Sequence, residues 1–314
     1  MKITGTFLDE ISYDIPHQNW GRQEWRRDFL NMRAIGIDTV IMIRCGLGRW
    51  LTYPSEALMK RQNCYRPPVD LVEMFLELSD ELGMKFFFGT YDSWCYWHSD
   101  HPEKELELNL EVVEEAYRRY GHHVSFSGWY LTQEISRGRK SVATLYRELG
   151  KRCKDISGGL PVLISPLIDG VKENRKQSVS LEDHQREWDE MFSLIRDGVD
   201  TVAFQDGHCE FHELSDYLAV NRRLAEKYGI ECWSNCESFD RDMPIRFLPI
   251  KWEKMRFKLR AAAAAGVRKV ITFEFSHFMS PNSVYGAAGN LYRRYCEEYG
   301  ISVAERGTDT MPIG

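Results

Sequence analysis

Ala34-Ile35-Gly36-Ile37-Asp38 closes a helix-like stretch and opens an apolar run. The chain repeats the device at Arg196-Asp197-Gly198-Val199-Asp200 and at Ala265-Gly266-Val267-Arg268-Lys269. Each joint reads as a helix end, a glycine in the left-handed region, an apolar residue and a polar strand start. Working outward, eight apolar runs alternate with amphipathic stretches. The runs cover 3–8, 39–44, 85–90, 126–131, 161–165, 201–204, 231–234 and 269–273. Their helical partners lie near 23–35, 69–82, 105–120, 142–156 (introduced by Ser141), 181–196, 212–228, 252–265 and 284–299.

Helix-to-strand joints are short, whereas strand-to-helix joints are long and carry residues such as Trp50, Tyr53 and Pro54. That asymmetry belongs to a barrel whose active site lies at the C-terminal ends of its strands. The competing doubly wound sheet would place a Gly-x-Gly-x-x-Gly turn after the first strand, where this chain has Gly5-Thr6-Phe7-Leu8-Asp9. The expected architecture is α/β, a single (β/α)8 TIM barrel over 1–314, with a frayed tail over 302–314. A length of 314 residues suits one such barrel.

Hydrophobic residues at 43% and charged residues at 28% exclude a disordered chain. A net charge of −6 argues against a nucleic-acid partner. No run of about 18 apolar residues is present to span a membrane. Met1-Lys2 leads straight into a strand-like run, and the eight cysteines form no Cys-x-x-Cys pair. Both features fit a reduced, cytoplasmic protein without a signal peptide. Nothing resembles a coiled coil, so no oligomeric state is expected in particular.

If the barrel closes, residues at the strand ends share one bowl: Asp9 and Glu10, Arg44, Tyr91 and Asp92, Gln133 and Glu134, Asp169 if strand five extends, Gln205 and Asp206, Asn235 and Glu237, Glu274 and His277. So many acids in one place call for hydrogen bonds, cations or chemistry. Glu134 follows the fourth run and Glu237 the seventh, so the two face each other across the mouth. Glycoside cleavage needs such a pair: one carboxyl protonates the leaving oxygen, and the other attacks the anomeric carbon or activates water. We assign Glu134 as general acid/base and Glu237 as nucleophile. Glu274 stands as the rival second acid.

This arrangement resembles the clan of retaining glycosidases with an acid/base on strand four and a nucleophile on strand seven. That clan has Asn before its strand-four acid. Gln133 keeps the amide here and lengthens it. More specifically, the chain resembles the glycoside-hydrolase-like barrels of the domain-of-unknown-function 4434 family. The likeness rests on Gly5-Thr6-Phe7-Leu8-Asp9-Glu10, Trp20 and Trp25, Gly36-Ile37-Asp38-Thr39-Val40, Tyr53-Pro54, Gly128-Trp129-Tyr130-Leu131 with Glu134, and Gln205-Asp206-Gly207. It implies the barrel and carbohydrate chemistry.

The remaining strand-end residues are expected to bind substrate: Asp9, Arg44, Tyr91, Asp92, Trp94, Gln133, Asp206, Asn235, Glu274 and His277. Arg44 serves equally as a salt-bridge partner for a mouth acid, and Asp206 equally as part of a turn or a tuner of Glu237. Glu10 points away, because strand neighbours alternate. The loop Tyr91–His98 is dense in rings, as a cleft packing on apolar sugar faces would be. Trp129 and Trp233 serve equally as core. No cofactor is expected. Histidines 98, 101, 122, 123, 208, 212 and 277 invite a metal, but no His-x-His ends the first run, so no catalytic metal is expected. Two other functions fit the pattern: a non-catalytic carbohydrate-binding barrel, and a metal-dependent sugar isomerase or lyase.

Overall fold

The computed structural model describes residues 1–99, 101–172, 179–241 and 247–302. Eight parallel strands close into a barrel: β1 (Ile3–Leu8), β2 (Thr39–Met42), β3 (Lys85–Gly89), β4 (Phe126–Leu131), β5 (Val162–Ile164), β6 (Thr201–Gln205), β7 (Glu231–Asn235) and β8 (Lys269–Thr272). β8 pairs back onto β1, Gly5 against Ile271 and Thr6 against Thr272, which seals the ring. The main outer helices are α1 (Arg22–Ala34), α2 (Leu71–Leu82), α3 (Pro102–Tyr120), α4 (Lys140–Ile156), α5 (Leu181–Ile195), α6 (Phe211–Lys227), α7 (Trp252–Ala265) and α8 (Gly286–Tyr299). The architecture is the (β/α)8 barrel that the alternation of runs implies. The tail expected over 302–314 lies, beyond residue 302, outside the described residues.

Two apolar layers hold the barrel. Inside the ring, Phe7, Ile41, Phe87, Tyr130, Leu163, Trp233 and Ile271 pack as one cluster. Outside it, strand residues of the other parity meet the helices in a larger core. At about 1.5–3 kcal/mol per buried large apolar side chain, these layers dominate the folding energy. Trp233 is therefore an interior filler. Trp129 lies in the outer layer, edge-on to Phe88 and Phe126, with its indole N–H donating to Ser157 Oγ at 3.1 Å.

The repeated joints differ in detail. Gly36 and Gly266 take φ of +96° and +73°, the left-handed turn anticipated for them. Gly198 does not. It is glycine because α4 passes too close: a Cβ there would sit 2.6 Å from the Arg147 carbonyl oxygen. α4 begins at Lys140 with Arg139 at its N-cap, ahead of the start expected from Ser141. The long loop after β2 contains a short helix, Glu56–Arg61, whose Ser55 hydroxyl accepts the Leu58 N–H at 3.2 Å.

β2 and β3 end earlier than their apolar runs, because the chain there leaves the barrel to build a rim. Gly46–Leu47 pairs with Trp50–Leu51 and with Tyr91–Asp92 in a small sheet beyond β2 and β3. Beyond β7, Phe239–Asp240 pairs with Leu248–Pro249. These ribbons wall the C-terminal mouth.

Candidate active site

A cavity of about 420 Å3 opens at that mouth. Its polar lining includes Arg44, Asp92, Glu134, Gln205, Glu237 and Arg241. Its apolar lining includes Tyr13, Trp94, Trp97, Phe239, Phe247 and Phe273. Trp94 and Tyr13 meet edge-to-face at 5.0 Å on the outer rim, 51% and 76% exposed. Trp94 holds φ +69°, a conformation that a bulky residue adopts only under constraint. Asp92 supplies that constraint. Its Oδ1 accepts the Trp94 backbone N–H at 2.8 Å and the Trp97 indole N–H at 2.9 Å, while Oδ2 faces Arg44 at 3.4 Å.

Glu134 rises from the end of β4 into the cavity. The Tyr130 hydroxyl, four residues earlier on β4, donates to its Oε1 at 2.7 Å. Burial pushes the Glu134 carboxyl above the ordinary range; Arg44, Tyr130 and Gln205 pull it down, and the charge of Glu237 pushes it up again. Glu237 has the opposite setting. Burial works against its charge, but Arg241, Lys258 and His208 outweigh burial and hold its pKa below the ordinary range. Arg241 donates Nε to Oε2 at 2.9 Å and an Nη to Oε1 at 2.8 Å, a bidentate pair. The guanidinium also lies over the Phe239 ring, 4.9 Å from its centroid.

The wall behind Glu237 is charged and buried. Asp206 Oδ1 accepts the Glu237 backbone N–H at 3.0 Å and the Lys258 ammonium at 2.7 Å. Burial disfavours the Lys258 charge, yet Asp206, Cys236 and Glu237 keep its pKa raised. Lys258 also donates to the Glu237 carbonyl at 3.2 Å, so the backbone carrying Glu237 is fixed from both ends. Gly207 completes the fit. A Cβ there would lie 1.7 Å from Glu237 Oε2, so only glycine leaves room for the carboxylate.

The fold matches what the residues resemble. A family model described as "Domain of unknown function (DUF4434)" matches residues 3–285. The chain belongs to the DUF4434 family. A solved structure from Bacteroides thetaiotaomicron VPI-5482, described as a "putative alpha-L-fucosidase", is 56% identical. It superposes with a TM-score of 0.93 over 96% of this chain and 94% of that one. The endo-1,4-beta-mannanase of Rhizomucor miehei is 12% identical, with a TM-score of 0.59 over 93% of this chain and 95% of its own. The endo-1,4-beta-D-mannanase of Thermotoga petrophila RKU-1 is 12% identical, with a TM-score of 0.56 over 87% and 88%. These two distant likenesses are likenesses of fold. Among curated proteins no relative matches the chain.

In this DUF4434 barrel, six of the strand-end residues singled out in the sequence line the cavity together: Arg44, Asp92, Trp94, Glu134, Gln205 and Glu237. The others stand outside its lining, each for a visible reason. Asp9 Oδ1 turns back to accept the Ile11 and Ser12 N–H groups at 3.0 and 2.9 Å. Tyr91 is buried and donates its hydroxyl to the Gly48 carbonyl at 2.7 Å. Gln133 points into the wall, its amide donating to the Tyr91 carbonyl at 2.9 Å and to Glu105 at 3.1 Å. Asn235 is buried and donates to Ser165 Oγ at 3.1 Å. Asp206 lies behind Glu237, holding its backbone N–H and the Lys258 ammonium.

Glu274 and His277 form a closed unit. Glu274 caps the short helix Phe275–Phe278, accepting the Ser276 N–H at 2.9 Å and the His277 N–H at 2.6 Å. Its Oε1 also lies 2.6 Å from His277 Nδ1, while His277 Nε2 reaches the Pro16 carbonyl at 2.8 Å. Sequence reasoning passed over Tyr130, Arg241 and Lys258. Lys258 had a signal: it sits on the buried stripe Met255, Lys258, Leu259, Ala262 of α7, where a lysine needs a partner. No helix among the described residues is long and apolar enough to cross a membrane.

Proposed function

We propose that this chain hydrolyses glycosidic bonds with retention of configuration, using Glu134 as acid/base and Glu237 as nucleophile. One observation carries the reading: two carboxyls open onto one cavity, and their surroundings push their pKa values apart, Glu134 up and Glu237 down. Such a split assigns the proton donor and the ionised partner. In the first step the Glu134 proton passes to the glycosidic oxygen, the C–O bond breaks, and a Glu237 oxygen bonds the anomeric carbon. In the second, Glu134 takes a proton from water, whose oxygen attacks that carbon and releases Glu237. A carboxylate has about four lone-pair sites, so the Arg241 pair leaves each oxygen one free for attack. Trp94, Trp97 and Tyr13 offer faces for sugar rings, and Asp92, Arg44 and Gln205 offer partners for hydroxyls.

The test is a panel of aryl glycosides, led by aryl alpha-L-fucosides because the 56%-identical relative carries that description. Turnover by the wild-type chain, lost in Glu237→Gln, is expected. The first-formed product, read by NMR, should carry the substrate's anomeric configuration. A second reading, a barrel that binds sugar without cleaving it, draws on the Arg241 pair, which neutralises Glu237. Calorimetry on the same sugars separates the two, since binding without turnover would favour the second.

A further inference from the structure

The opposite mouth of the barrel carries a different cluster. His122 and His123 lie in the joint between α3 and β4, beside α2. Glu73 and Asp80 stand seven residues apart on α2, so both present the same helix face. The His123 imidazole bridges them. Its Nδ1 lies 2.7 Å from one Asp80 oxygen, and the other Asp80 oxygen accepts the Ser125 N–H at 2.8 Å. With Nδ1–H directed at a carboxylate, Nε2 presents its lone pair, the arrangement that orients a ligating histidine. That Nε2 is buried without a hydrogen-bond partner, on a side chain only 7% exposed, and it faces a Glu73 oxygen at 3.4 Å. The exposed His122 ring lies alongside, 4.3 Å between centroids. One ligand atom each from Glu73, His122 and His123 falls within 4.8 Å of the others.

We propose that Glu73, His122 and His123 form a surface site for a zinc-class divalent transition ion, with Asp80 orienting His123. Tetrahedral bonds of about 2.0–2.1 Å set neighbouring ligand atoms about 3.3 Å apart. The His123–Glu73 spacing already has that value, and His122 reaches it by rotating an exposed side chain. Two imidazoles and a carboxylate suit zinc, nickel or copper; calcium and magnesium prefer all-oxygen shells. The bound ion would tie the first turn of α2 to the loop that launches β4. Its effect is therefore on stability, at the barrel end away from the cavity.

The experiment uses the untagged full chain, stripped with chelator and titrated with Zn2+ by calorimetry, with Co2+ absorption as a second readout. Expected are one ion per chain with a micromolar or tighter Kd, and Co2+ bands of a four- or five-coordinate site. At a hundredfold excess of Zn2+ over Kd, the melting temperature should rise by roughly 3–8 °C. His122→Ala, exposed and free of any core role, should weaken binding at least tenfold while leaving the apo melting temperature unchanged. Glu73→Gln should do the same, and Asp80→Asn should cost about 10–100-fold. Millimolar Mg2+ should not compete. Absence of saturable Zn2+ binding below millimolar overturns the site, as does binding that both His122→Ala and Glu73→Gln leave untouched.

Discussion

Glu134 with Glu237, and Glu274 with His277, occupy equivalent places in the barrel: each pair stands just past strand ends at the same mouth. Their surroundings set them apart. The first pair lines an open cavity, and its members' pKa values are displaced in opposite directions. The second is shut away with neither side chain exposed, its bonds spent on a helix cap and on the Pro16 carbonyl. Burial alone would lower the His277 pKa, but Glu274 and Glu10 outweigh it and raise it to about 9. Position at a strand end thus brings a carboxylate to the mouth, and the path of the following backbone decides whether it faces the cavity or holds the rim.

Substitutions can break this contrast in graded steps. Glu237→Gln should remove turnover by on the order of 10^4 or more, with an unchanged circular dichroism spectrum. Glu134→Gln should cost about 10^2–10^4 in kcat, less for aryl substrates whose leaving groups need no proton. Gly207→Ala should approach these losses, since its methyl group must displace the Glu237 carboxylate or Arg241. Equal activity in that variant would show that the carboxylate need not stand where it does.

The pH profile sharpens the contrast further. Glu237 must be ionised, so activity should fall as pH drops through its depressed pKa. Glu134 must be protonated, so activity should fall again as pH rises through its elevated one, which gives a bell. Tyr130→Phe removes a donor that favours the Glu134 carboxylate, so the alkaline limb should move to higher pH. Arg241→Ala should move the acidic limb upward. An unmoved profile in both variants would detach the two limbs from these residues.

The smallest effect on turnover belongs to the closed pair. Glu274→Gln should alter kcat by only a few-fold while lowering stability by about 3 kcal/mol, the cost of leaving a buried partner uncompensated. A His277 pKa raised in the fold adds stability that is complete below about 6.5 and is lost as pH rises through about 9. Wild-type stability, followed by urea unfolding, should decline over that window, and Glu274→Gln should flatten the decline. Loss of turnover as complete as in Glu237→Gln would exchange the roles of the two pairs.

The barrel was legible because its evidence is periodic and repeated. β1 and β4 coincide with their apolar runs, and the glycine joints mark where helices end. The site was legible to the level of the strand end and no further. Whether Asp9 faces a ligand depends on a turn in which it captures two backbone N–H groups, and whether Gln133 does depends on Glu105, many residues along on α3. Alternation along a strand does not reach past its last residue. Arg241 stands four residues after Glu237 on an irregular rim ribbon, where no period links the two. Lys258 was readable in principle as a lone cation on an apolar helix face, but its partner, Asp206, is fixed only by the closure of β6 against β7.

On the proposed mechanism, Glu134 and Glu237 flank a scissile glycosidic bond within one cavity. A crystal of Glu237→Gln soaked with mixed oligosaccharides tests it most directly. Expected is a sugar packed on Trp94 or Trp97, its glycosidic oxygen within hydrogen-bond distance of Glu134 and its anomeric carbon facing residue 237. Sugar bound with its glycosidic bond away from both residues would contradict it.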